Sequence, residues 1–102
     1  MARSLGDFWY DVTPERSRVY SFHFRLMEQP AGTIHIEILS QPPYPNGRAA
    51  DGHSTHRYGL GTSGYPFICF DPMPTNVSAA KAIAAGWASR TVLYQRNGWW
   101  AS

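Results

Sequence analysis

Between Val19 and Leu39, apolar and polar residues alternate in two successive runs. Tyr20, Phe22, Phe24 and Leu26 are interleaved with Ser21, His23 and Arg25, then Ile34, Ile36 and Ile38 with His35 and Glu37. Successive side chains of an extended chain point to opposite faces, so each run reads as a strand with one oily and one polar face. The connection Glu28-Gln29-Pro30-Ala31-Gly32 has the Pro and Gly of a hairpin turn. A buried face forces apolar residues opposite apolar ones, because a one-residue slip would turn every side chain over. The tightest register sets Leu26 across from Ile34, Phe24 from Ile36 and Phe22 from Ile38. His23 then faces Glu37, and Arg25 faces His35.

An antiparallel hairpin with one oily face needs a covering layer, and the chain supplies one near its end. Thr75, Asn76 or Ser78 can cap a helix over about 77–95, with Asn97-Gly98 as its stop. Ala80, Ile83, Ala84, Trp87, Thr91 and Tyr94 form a stripe at 3.6-residue spacing that fits the oily sheet face. On the opposite side lie Ala82, Gly86, Ser89 and Leu93. A glycine inside a helix costs about 1 kcal/mol relative to alanine, so Gly86 suggests close approach there, by residues 1–18 or 99–102 or by a second subunit.

The remaining segments are less regular. Residues 1–18 mix Phe8, Trp9 and Tyr10 with Asp11 and Pro14 and read as an irregular lead-in. Residues 41–65 are rich in Gly and Pro and read as one long loop, with room for a short strand near His56-Arg57-Tyr58. Structureless connections beyond about 12–15 residues are uncommon unless they bind something or act as lids. A further short strand is expected near 66–70, where Cys69 reads as a small buried hydrophobe, ended by Asp71-Pro72-Met73-Pro74. The fold expected is therefore α+β: a two-layer sandwich with an antiparallel sheet of three to four strands, hairpin 19–39 plus the strand near 66–70, packed by one C-terminal helix.

With 102 residues, 43% of them hydrophobic and only 16% charged, the chain fits a single domain spanning 1–102. One cysteine excludes an intrachain disulfide. No window reaches the apolar length of a membrane span and no apolar leader is visible, so a cytoplasmic protein without membrane partners is expected. The basic residues are almost all arginine, an association with GC-rich bacterial genomes. A net charge of +2 falls short of a strong duplex binder, leaving nucleic acid neither indicated nor excluded. Phosphate-binding glycine loops, the nucleophile elbow and Cys-x-x-Cys are absent, and no cofactor is expected.

Two clusters could carry chemistry. His23, Arg25, His35 and Glu37 would converge on the polar hairpin face, where a carboxylate base, an imidazole acid and a guanidinium on phosphate constitute the logic of metal-independent RNA cleavage. Equally, an exposed sheet face carries polar residues in any case. Within the loop, Tyr44, Arg48, His53, His56, Arg57 and Tyr58 are side chains suited to ligand contact. Asp51, His53 and His56 are a weak metal-ligand set, since His-x-x-His matches no established spacing. The leading expectation is a non-catalytic binding or interaction module for a protein or small ligand, using the 41–65 loop and the polar sheet face. The alternatives are a ribonuclease-like phosphodiester enzyme on that face, and a subunit of a homodimer or complex joined through the helix back or Trp99 and Trp100.

Overall fold

A computed structural model describes residues 2–15, 18–43, 57–60, 64–68 and 70–97. Five strands, β1 (Arg3–Glu15), β2 (Arg18–Glu28), β3 (Ile34–Ser40), β4 (Arg57–Leu60) and β5 (Pro66–Ile68), precede one helix, α1 (Val77–Asn97). The sheet is antiparallel, in the order β1-β2-β3-β5-β4. The helix packs on one face, which gives the expected two-layer α+β sandwich. No helix among the described residues is long and apolar enough to cross a membrane.

Residues 3–15 form a strand, where an irregular lead-in over 1–18 was expected. Phe8, Tyr10 and Val12 pair with Phe24, Phe22 and Tyr20 and pack against the core, while Asp7, Trp9 and Asp11 alternate with them. The period-two signal was masked by two features. The register shifts between Ser4 and Gly6, where Gly6 has φ +111° and the extra residue, Leu5, still reaches the core. Pro14 lies on an edge strand, where a missing N–H is tolerated.

The β2–β3 hairpin keeps the expected faces but is shifted by two residues: Phe24 pairs with Ile38, Arg25 with Glu37, Leu26 with Ile36 and Met27 with His35. The turn sets this register. Gln29 N–H donates to Thr33 O at 2.8 Å and Gly32 N–H to Gln29 O at 2.9 Å, closing a loop of Pro30-Ala31-Gly32. Gly32 has φ +93°, a conformation that residues with a Cβ rarely adopt. The expected register centres the turn one residue earlier, on Pro30 instead of Ala31. Both registers bury the same residues, so hydrophobic alternation alone could not separate them.

Phe22, Phe24, Leu26, Ile34, Ile36, Ile38 and Ile68 form the sheet side of the core, against Ala80, Ala84, Trp87, Ala88 and Val92 of α1. Small alanines let the helix approach, and Trp87 stands edge-on to Phe22 and Phe24 with centroids 5.9 and 6.1 Å apart. Burying each large side chain contributes about 1.5–3 kcal/mol. Asn76 Oδ1 accepts the Ala79 N–H at 2.8 Å and caps α1. At the other end Gln95 donates to Pro42 O at 2.8 Å, and Ile34 N–H donates to Pro74 O at 2.7 Å. These bonds tie the last turn of α1 to the segment after β3 and the segment before α1 to the start of β3.

The helix back is exposed at Ala82, Ser89 and Leu93. Among the described residues, a Cβ on Gly86 would meet only Arg90 Nη1, at 3.3 Å. Residues 3–15 lie in the sheet instead of on this side, so Gly86 does not mark a close backbone approach by that segment. Trp99 and Trp100 fall outside the described residues, as does Cys69.

Candidate functional site on the outer sheet face

With one helix on one face, Asp7, Trp9 and Asp11 of β1, His23 and Arg25 of β2, and His35 and Glu37 of β3 alternate with the core-facing residues and lie on the other face. Four strands bring their side chains into rows. Asp7, Arg25, Glu37 and Phe67 lie across β1, β2, β3 and β5 in one row, and Trp9 pairs with His23 in the next. His23, Arg25, His35 and Glu37 thus share one face, as expected. Their partners are not the expected ones.

Arg25, and not a histidine, pairs with Glu37. Its Nε and Nη2 approach Glu37 Oε1 at 2.9 and 2.8 Å. Glu37 is only 1% exposed. It lies between Arg25 and Phe67, while Tyr65 places its ring 5.4 Å from the guanidinium carbon. A carboxylate so enclosed is compensated by its cation.

His23 turns the other way. Its Nε2 lies 2.5 Å from Asp7 Oδ2, and its ring stacks on Trp9 at 4.4 Å with 7° between the planes. Trp9 itself remains 62% exposed. The carboxylate orients the imidazole, and the imidazole in turn supports one side of the indole. His35 stacks on Phe67 at 4.3 Å. Burial lowers its pKa below the ordinary value of 6.5, opposed in part by the nearby Glu37 charge.

The face is therefore a strip of flat groups, each positioned by a neighbour: Trp9 on His23, Arg25 beneath Tyr65, and His35 on Phe67. Asp7, Trp9 and Phe67 were not among the sequence-derived candidates, although the alternation of Phe8, Tyr10 and Val12 would have placed Asp7 and Trp9 opposite them.

Of the loop candidates, Arg57 is described: its Nη1 donates to Gln41 Oε1 at 3.0 Å, tying together the two ends of the connection between β3 and β4. Tyr58 is placed on β4 by its backbone. Tyr44, Arg48, Asp51, His53 and His56 lie outside the described residues. Among the described residues no group of three His, Cys, Asp or Glu side chains is arranged to hold a metal ion. Compared with protein-family models, curated proteins and solved structures, the chain matches none.

Proposed function

We propose that the protein is a small non-catalytic binding module whose ligand surface is the outer sheet face, adjoined by the 41–65 connection. The observation that carries this reading is the Trp9 indole, 62% exposed yet held by a stacked His23 that is itself hydrogen-bonded to Asp7. A large aromatic group fixed in place but left in water loses little conformational entropy on binding, as befits a recognition platform. Arg25 and Tyr65 extend it with side chains common at binding hot spots. Glu37, the intended base of the catalytic alternative, is committed to Arg25.

NMR mapping with a library of planar aromatic fragments tests the proposal. Hits should cluster on the Trp9 indole, His23 and Tyr65, and Trp9→Ala should abolish them. Fragments that cluster elsewhere, or that ignore Trp9→Ala, overturn it.

One observation favours the phosphodiesterase reading: the Asp7–His23 pair is a carboxylate-oriented imidazole, as general acid–base catalysis uses. Metal-independent cleavage of single-stranded RNA that disappears in His23→Ala would establish that reading instead.

A further inference from the structure

The two faces of the Trp9 indole have different surroundings. One is stacked on His23, 4.4 Å away and nearly parallel. His23 belongs to β2 and β1 is the edge of the sheet, so the other face looks outward, where no strand lies among the described residues. The β1 register runs unbroken from Gly6 to Val12, which places Asp7 and Asp11 on the same side as Trp9, about 7 Å before and after it. Both carboxylates are exposed. Asp7 Oδ2 is taken by His23, whereas Asp11 has no hydrogen bond or ion pair among the described residues. The whole chain carries a net charge of +2, yet the surroundings of this ring are negative: Glu37 is compensated by Arg25, and Asp7 and Asp11 remain on either side of the indole. Tyr20, Tyr65 and Phe8 already hold the chain's own cations, Arg18, Arg25 and Lys81. Trp9 holds none among the described residues. An indole face attracts a cation, and carboxylates that draw a cation repel phosphate, which disfavours a nucleic-acid backbone here.

We propose, resting on the binding-module reading above, that the ligand is a polypeptide partner that lays an arginine side chain on the open face of Trp9 and pairs its guanidinium with Asp11. Arginine fits this arrangement better than lysine. Its guanidinium is planar and weakly hydrated, so it stacks flat on the indole while the N–H groups at its edge still reach a carboxylate. The half-exposed Tyr65 ring over Arg25 continues the same face. Residues flanking the arginine in an extended partner would cover it, whereas a free small cation would leave it unused.

NMR titration of the full chain with a blocked Gly-Arg-Gly peptide, read at the Trp9 indole N–H, tests this. The comparison ligands are the same peptide with lysine, the same peptide with citrulline, which keeps the planar shape without the charge, and a short oligothymidylate. The arginine peptide should shift the Trp9 signal and bind at least about fivefold more tightly than the citrulline peptide. Asp11→Asn should weaken it roughly two- to fivefold. Asp11 is exposed, so this near-isosteric change should leave the rest of the amide spectrum in place. Equal binding of the lysine or citrulline peptide, an Asp11→Asn variant that binds as wild type does, or tighter binding of oligothymidylate at Trp9 overturns the proposal. Planar aromatic fragments that bind at Trp9 when the arginine peptide does not would remove the arginine partner and leave the binding module standing. Silence from both removes both.

Discussion

Arg25→Met should destabilise the protein by about 2–3 kcal/mol. The substitution keeps the length and apolar stem of the side chain but removes the Nε hydrogen bond to Glu37 Oε1 at 2.9 Å and the Nη2 ion-pair contact at 2.8 Å. Stranding a fully buried charge costs about 3–5 kcal/mol. The Arg25 side chain is 28% exposed against 1% for Glu37, so water already weakens the pair and the lower figure applies. A second substitution separates the pair's net worth from the penalty of breaking it. Arg25→Met with Glu37→Leu removes the stranded charge and should recover most of the loss, leaving a deficit near 1 kcal/mol or less. Urea denaturation followed by tryptophan fluorescence gives all four corners of the cycle, with m held equal between variants. An Arg25→Met loss below about 0.5 kcal/mol would show that Glu37 is hydrated without its partner, refuting the enclosed carboxylate on which the non-catalytic reading depends.

Other expectations concern the helix and the pH response. Thr91 is wholly buried and its hydroxyl has no hydrogen-bond partner among the described residues, so Thr91→Val should raise stability by about 1 kcal/mol in the same assay. Gly86→Ala should also stabilise, by about 0.5–1 kcal/mol, because among the described residues the new methyl meets only the end of a flexible arginine. Asn76→Ala should cost about 1 kcal/mol through loss of the Ala79 cap. His35 has its folded pKa depressed below 6.5, so as pH falls through that value the unfolded chain takes up the proton first. Its contribution is present above pH 6.5 and lost as pH falls through the folded pKa. His35→Phe, which keeps a ring on Phe67, should flatten that part of the stability–pH curve.

The oily half of the molecule was legible because burial leaves a period in the sequence. Phe22, Phe24 and Leu26 alternate without interruption, and Ala80, Ala84, Trp87 and Thr91 keep helical spacing, so β2, β3 and α1 appeared with their buried faces correct. The polar face was legible in membership and not in pairing. Nothing in the alternation distinguishes Arg25 opposite His35 from Arg25 opposite Glu37, since both registers bury the same residues. That choice was made by the three-residue turn and Gly32. β1 was missed for a different reason: Leu5 and Gly6 interrupt its phase with a bulge, so Asp7 and Trp9 read as turn and lead-in residues. With β1 unseen, His23 had no visible partner, and the Asp7–His23–Trp9 unit at the heart of the candidate site was out of reach.

On the proposed reading, the outer face recognises a ligand and performs no proton-transfer chemistry. Incubating the protein with single-stranded RNA in the presence of a chelator tests it most directly, with cleavage followed on a denaturing gel for wild type, His23→Ala and Glu37→Gln. Intact RNA with all three proteins is the expected result. Cleavage by wild type that is lost in either variant would make the outer face an active site and overturn the non-catalytic reading.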